Sequence, residues 1–348
     1  MKILAIDTSC DETSAAMTEG TRVLSNVIWS QASAHASFGG VMPSLAQRIH
    51  NERIDWVVKK ALVCKPDAVA VTVGPGLAIA LEVGVRKAKE LALEFKVPLI
   101  PVNHIEGHVL SSLAQPNITP SSPLNLRGET KFPALGLVVS GGHTELILIK
   151  EIGKYEILAK TQDDALGEAL DKAARMLGLG YPGGAVLEKV ARLASSTRAY
   201  TLPLPMAGRE DQNSFSYSGL KTALLRLIAT EGQALLTKQN ICNLAAVFQN
   251  RAFEHLIRVT RNSIKSLPSP LFEKEGGTLL VGGGVIANTE LRKRLRVLGK
   301  ELGLQVRFPY SKKLIGDNAA MIGVAASFGK AKDLEKVDRK PRWGIDLI

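Results

Sequence analysis

Short apolar runs and polar breaks alternate regularly through the first third of the chain. Residues 2–7 (KILAID) are apolar and β-prone, and 14–17 and 23–29 can return beside them as a hairpin. Over 45–62, Leu45, Ile49, Ile54, Val57, Val58 and Leu62 recur at helical spacing and predict one buried helix face. A continuous apolar run at 68–73, of the kind a buried strand shows, stops at Gly74-Pro75-Gly76. A helical stretch over 84–95 and another strand over 99–102 follow. This alternation predicts α/β layers.

Residues 115–131, rich in Pro, Ser and Asn, break the pattern and predict a surface loop or a crossing between lobes. The pattern then restarts. Residues 134–139 and 144–150 predict a hairpin around Ser140-Gly141-Gly142, and helices are predicted over 167–177, 184–193, 219–231 and 241–266. A strand over 278–281 leads through Gly282-Gly283-Gly284 to a basic helix over 289–302, an apolar helix over 318–328 and a charged tail. Two successive α/β lobes fit this order, and a length of 348 residues is enough for two cores.

Composition narrows the class. A hydrophobic fraction of 45% with 22% charged residues excludes a disordered chain, and no apolar run approaches the ~20 residues that span a bilayer. The opening MKILAID leads directly into strand-like sequence, without the features of a signal peptide. Cys10, Cys64 and Cys242 are odd in number and far apart, which suits a reducing, cytoplasmic setting. The net charge of +11 makes nucleic acid a reasonable partner, although many basic proteins never touch it.

The three glycine turns follow predicted strands and can bring backbone N–H groups up to a ligand's oxygens. None has the G-x-x-x-x-G-K-[ST] or G-x-G-x-x-G spacing, which argues against a P-loop NTPase and a dinucleotide dehydrogenase. Together they point to a nucleotide held between lobes. His104-Ile-Glu-Gly-His108 takes two of the six histidines; on a helix they share a face, at a spacing that lets two imidazoles hold one metal ion. Two solvated or core histidines would give the same spacing. Glu106 is not adjacent to His104, as the metalloprotease pattern requires, so proteolysis is disfavoured. A third ligand is needed; Asp317, before the apolar helix, is a candidate, and an N-cap is its ordinary alternative.

Taken in order, these stretches resemble the TsaD/OSGEP family of tRNA-adenosine threonylcarbamoyltransferases. Asp7-Thr-Ser-Cys-Asp-Glu-Thr13 is similar to that family's ETSCDET, and Phe38-Gly-Gly-Val-Met-Pro43 to its YGGVVP. Gly74-Pro-Gly-Leu77 matches GPGL, the 104–108 pair matches HxxxH, and Val138-Val-Ser-Gly-Gly-His-Thr144 matches LVSGGHT. Gly167-Glu-Ala-Leu-Asp-Lys172 with Gly180-Tyr-Pro-Gly-Gly184 is similar to GEAFDK…YPGG. Ser214 to Thr222 resembles FSFSGLKT, Gly282 to Asn288 resembles GGVSAN, and Asp317 to Met321 resembles DNGAM. Asp7 replaces the usual Glu, Tyr217 and Asn213-Ser214 alter the FSFSG stretch, and the 115–131 loop is longer than usual. Val138 and His143 stand where archaeal and eukaryotic cytosolic members carry Tyr and Asn, which points to the bacterial or organellar branch.

The resemblance implies an ASKHA fold: two RNase H-like lobes around a nucleotide cleft, here 1–125 completed by 318–348, and 126–317. It implies transfer of a threonylcarbamoyl group from threonylcarbamoyl-AMP to N6 of adenosine 37 in ANN-decoding tRNAs. His104, His108 and Asp317 would hold one divalent metal, iron first and zinc as the alternative. Val138, Val139, Ser140, Gly141, Gly142, Asp171, Gly184 and Asn288 would bind the adenylate, and Asp11 and Glu12 would be tied to activity. A TsaB-like paralogue and a TsaE-like ATPase would be partners. A small-molecule kinase or ATPase of the same superfold, and a non-catalytic scaffold, are the alternatives; the paired histidines count against both. On this reading the positive charge gains a purpose. Arg292, Lys293, Arg294, Arg296, Lys300, Arg307, Lys312, Lys313, Lys336, Arg339, Lys340 and Arg342 flank the cleft in sequence and would meet the tRNA backbone.

Overall fold

The computed structural model describes residues 1–117, 130–196, 200–209, 212–232, 237–268 and 276–348. The first part of the chain runs β1 (Lys2–Asp7), β2 (Glu12–Glu19), β3 (Arg22–Ser30), α1 (Ala32–His35), α2 (Pro43–Ala61), β4 (Ala68–Gly74), α3 (Ala78–Phe95), β5 (Leu99–Asn103) and α4 (His104–Leu110). The second runs β6 (Ala134–Val139), β7 (Thr144–Glu151), β8 (Lys154–Thr161), α5 (Leu166–Met176), α6 (Gly184–Ala191), β9 (Ser214–Phe215), α7 (Ser218–Glu231), α8 (Lys238–Lys265), β10 (Thr278–Gly282), α9 (Thr289–Glu301), β11 (Gln305–Arg307) and α10 (Ala319–Ala326). Among the described residues the strands form two sheets, ordered β3-β2-β1-β4-β5 and β11-β10-β6-β7-β8-β9.

The layers follow from strand alternation. In β1, Leu4 and Ile6 face a core shared with α2 and α3, while Ile3 and Ala5 face the opposite way. That opposite layer holds α4 and α10 and is closed from its far side by Val138, Ile147, Ile149 and Leu280 of the second sheet. Helices α5 to α9 cover the second sheet's other face. α10 is therefore enclosed on every side, and all eight of its residues are buried, which is what an all-round apolar helix requires.

Strands β1, β4 and β5 are mutually parallel, as are β6 and β10. Their carboxyl ends open on a common cleft, the place where open α/β sheets present ligand-binding loops.

Some expectations shift. The buried face of α2 is Ala46, His50, Ile54, Val57, Val58 and Ala61; Leu45, Ile49 and Leu62 are only half-buried. His50 enters the core because its ring is fully hydrogen-bonded, which a hydrophobicity count does not register. α3 starts at Ala78, earlier than its apolar periodicity indicates. β8, β9 and β11 were not expected: β8 is rich in Lys and Glu, and the other two are very short. Most of the 115–131 loop lies outside the described residues.

Candidate functional site

The cleft encloses about 780 Å³ and is lined by loops that follow these parallel strands. After β1 come Ser9 to Glu12; after β4, Pro75 to Leu77; after β5, His104; after β6, Ser140 to His143; after β10, Gly284, Val285, Ala287 and Asn288.

α4 begins at the end of β5 because the Asn103 side chain accepts the N–H groups of Ile105 and Glu106, at 2.9 and 3.3 Å. Within one turn the helix presents both histidines to Asp317. His104 Nε2 lies 3.5 Å and His108 Nε2 3.1 Å from Asp317 Oδ1. One ligand atom from each of the three residues can be chosen so that all lie within 4.8 Å of one another. Asp317 is not the cap of α10. Asn318 caps it, accepting the Met321 N–H at 3.1 Å, which leaves the Asp317 carboxylate to the cleft. Glu106 turns away and accepts the Tyr155 hydroxyl at 2.6 Å, across to the second sheet.

The donor set is buried and incompletely bonded. Among the described residues His104 Nδ1 and both ring nitrogens of His108 lack hydrogen-bond partners, so even the 3.1 Å approach to Asp317 is misaligned for a hydrogen bond. Burial opposes charging His104, yet Asp317 and then Asp7 push it up to about 10. Burial holds His108 below the usual histidine range, with His104 adding to the effect. Burial, His104 and His108 push His143 down to about 4. Asp317, despite its burial, is held well below the ordinary carboxylate range by the two imidazoles. Asp317 and Asp7 together favour positive charge beside His104. Two imidazoles, a carboxylate and unfilled ring nitrogens fit a divalent metal.

The glycine turns divide by what surrounds them. A Cβ on Gly74 would sit 1.9 Å from the Lys340 carbonyl, and one on Gly282 would sit 2.0 Å from that of His108. Those two glycines serve backbone packing. Gly141 and Gly142 have no described residue within 4 Å of where a Cβ would stand, and they face the open cleft.

Of the other residues singled out from sequence, Asp11, Glu12, Ser140, Asp171, Gly184 and Asn288 line the cleft. Val138 and Val139 do not: both are fully buried strand residues packed into the cores on either side of β6. Asp171 Oδ1 accepts the Gly183 and Gly184 N–H groups at 2.9 and 2.7 Å. Burial raises its carboxyl even against these donors. Asn288 is committed on both sides, capping α9 through Oδ1 and donating to Gln249 at 2.8 Å. Burial, then Asp11 and Asp317, push Glu12 well above the usual carboxyl range.

His143, Lys172, Arg175 and Tyr181 also line the cleft, and the sequence reading gave them no role in it. Arg175 was findable: Gly167, Asp171 and Arg175 repeat every fourth residue along one face of α5.

The basic residues are not equivalent. Arg294 is held by Glu290 and Asn250, and Arg339 by Glu82. Arg307 donates to Gln305 and Thr130, and Lys336 to Asp333. These four are engaged within the protein.

Residues 22–324 match the family model described as "TsaD: tRNA N6-adenosine threonylcarbamoyltransferase". A tRNA N6-adenosine threonylcarbamoyltransferase of Trichlorobacter lovleyi is 42% identical over all of this chain and 98% of its own. One of Bartonella tribocorum is 41% identical over 99% of this chain and 96% of its own. The crystal structure of full-length HypF in its phosphate- and nucleotide-bound form superposes with a TM-score of 0.56 at 16% identity, covering 94% of this chain and 46% of that one. The chain belongs to the TsaD family of tRNA N6-adenosine threonylcarbamoyltransferases, enzymes that form t6A, and has their ASKHA fold. The kinase and scaffold alternatives fall with that match. Among the described residues no helix is long and apolar enough to cross a membrane.

Proposed function

We propose that the cleft binds threonylcarbamoyl-AMP, that His104, His108 and Asp317 hold one divalent metal ion against it, and that adenosine 37 of ANN-decoding tRNAs is the acceptor. The observation that carries this is the donor set itself, buried at the cleft wall with imidazole nitrogens that no described residue fills. Iron is the proposed ion and zinc the alternative, since this mixture of donors suits both. When bound, the ion supplies Lewis-acid charge for oxygens that become negative as the carbonyl is attacked.

The chain's own groups do the remainder. The Gly141 and Gly142 N–H groups donate to the phosphate that leaves as AMP. Asp171, its Oδ1 occupied by backbone, takes a ribose hydroxyl on Oδ2. Gly184 admits the nucleotide without a side chain in the way, and Asn288 acts by fixing the start of α9 at the cleft rather than by direct bonding. Val138 and Val139 contribute the strand that carries Ser140. N6 attacks the carbamoyl carbon, the bond to the phosphate oxygen breaks, and N6 loses a proton. Asp11 and Glu12 line the cleft, and an ionised carboxylate of either can accept this proton.

We take 1–125 with 318–348, and 126–317, as the two lobes that bound the cleft. A TsaB-like paralogue and a TsaE-like ATPase are proposed partners, on the resemblance to the bacterial branch. A cytoplasmic setting accords with three free cysteines.

The test is direct. The protein, its partners, threonylcarbamoyl-AMP and unmodified tRNA are incubated, and the digested tRNA is analysed for t6A by mass spectrometry. Wild type should form t6A and His104→Ala/His108→Ala should not. Absence of t6A from wild type, or an undiminished yield from the double variant, would overturn the mechanism.

A further inference from the structure

α9 carries three arginines within two turns, and their surroundings differ. Arg294 is fully engaged: Nε bonds Glu290 at 2.9 Å, an N–H bonds Asn250 Oδ1 at 2.7 Å, and the guanidinium lies 5.8 Å from the Phe253 ring. Arg292 and Arg296, one turn apart, meet no carboxylate among the described residues. Both lie over one ring, that of Phe308, at 4.6 and 5.3 Å from its centroid. Phe308 is itself 6% exposed, so the platform is fixed in the core. Arg292 Nε is buried against the ring and has no hydrogen-bond partner among the described residues, which leaves its terminal N–H groups as the donors available to a ligand.

A guanidinium held by its face keeps its edge donors free, and those donors match phosphate oxygens in pairs. Two like charges at i, i+4 also repel, so an anion between them relieves a cost that the fold otherwise carries. The location fits a ligand that continues into the cleft. Arg292 is one helical turn, about 6 Å of axis, from Asn288 at the cleft wall. The segment after Phe308 carries exposed Lys312 and Lys313 and ends at Gly316 and Asp317, which line the cleft.

We infer that Arg292 and Arg296, stacked on Phe308, form a clamp for the phosphate backbone of the RNA substrate at the rim of the cleft. This rests on the reading of tRNA as the substrate bound there, and it assigns one fixed contact point within a diffuse positive surface.

The experiment measures tRNA affinity over a salt series, together with steady-state t6A formation, for the full-length protein with its partners. Arg292→Gln/Arg296→Gln should raise the tRNA Kd about tenfold or more at low salt. It should flatten the dependence of log K on log salt by about 1.5, as loss of two phosphate contacts requires. The turnover rate at saturating tRNA and the KM for threonylcarbamoyl-AMP should stay within about twofold of wild type. Phe308→Leu, which keeps an apolar residue in the core but removes the ring, should show a smaller loss in the same direction. Lys59→Gln/Lys60→Gln, which removes two exposed charges on α2, should have little effect. The clamp is overturned by unchanged tRNA affinity in the arginine variant, by an equal loss in the lysine control, or by a defect confined to the KM for threonylcarbamoyl-AMP. If wild type forms no t6A, the chemistry proposed for the cleft fails instead; a wild type that forms t6A with an unaffected arginine variant sinks the clamp alone.

Discussion

Two groups of buried histidines lie beneath the same cleft, and they are bonded in opposite ways. In the first, His50 Nε2 donates to the Cys10 carbonyl at 3.0 Å, while Nδ1 accepts the Thr13 hydroxyl at 2.8 Å and the Gln31 amide at 3.2 Å. Gln31 then accepts from His35 Nε2 at 3.3 Å, and His35 Nδ1 accepts the Met42 N–H at 3.3 Å. Every ring nitrogen is used, and each tautomer is set by a neighbour that can only donate or only accept. In the second group, His104 and His108 are as deeply buried, but three of their four ring nitrogens lack a hydrogen bond among the described residues. A buried polar atom without a partner costs about 1–3 kcal/mol. The first group therefore holds the loops carrying Cys10 and Met42, and the second leaves open the donors that the proposed metal would take.

The sharpest way to break this comparison is to remove each group in turn. His104→Ala/His108→Ala should abolish metal binding and lower t6A formation roughly a thousandfold, the scale of a lost Lewis acid, while the melting temperature changes little. His50→Ala should do the reverse. By leaving the Cys10 carbonyl unpaired and emptying the space between Thr13 and Gln31, which keep only their mutual 3.4 Å bond, it should cost about 3 kcal/mol in denaturant unfolding, with one metal still bound per folded chain. A variant of His50 that loses metal yet keeps its stability would erase the distinction.

Acid sharpens the comparison further. Burial lowers the folded-state affinity of His50 for protons, and burial with Arg258 brings His255 down to about 4. The unfolded chain takes up these protons first, near pH 6.5, so stability is full above that value. It should fall as pH drops from about 6.5 towards 4, by at most about 1.4 kcal/mol per pH unit for each histidine. His255→Gln should flatten the fall in melting temperature over this window. The smallest effect is expected at Tyr155→Phe, which removes the 2.6 Å bond to Glu106 but touches no ligand. It should cost about 1–2 kcal/mol of stability and reduce metal affinity less than tenfold.

Much of this arrangement is legible in the amino-acid sequence. The apolar runs gave the parallel strands, and the glycine turns and the His104–His108 spacing marked where those strands open. What stayed hidden was of two kinds. Residues whose role comes from a distant partner carry no local signal: Tyr155 meets Glu106, and His50 meets Cys10, only after the layers are stacked. Backbone can also stand in for side chain. Val138 and Val139 belong to the motif that marks the site, yet they are buried, and the groups facing the cleft belong to Ser140, Gly141 and Gly142. Charge was the least legible, since the sequence makes Arg292, Arg294 and Arg296 look alike, and only their neighbours separate an arginine paired with Glu290 from two that stack on Phe308 and meet no carboxylate among the described residues.

The most direct measurement is a metal titration of chelator-stripped protein, following t6A yield against bound metal by elemental analysis. The account predicts that activity falls with stripping and returns in proportion to occupancy, reaching its maximum at one divalent ion per chain. It also predicts that the His104→Ala/His108→Ala variant binds none. Full t6A formation by protein shown to contain no metal would contradict it.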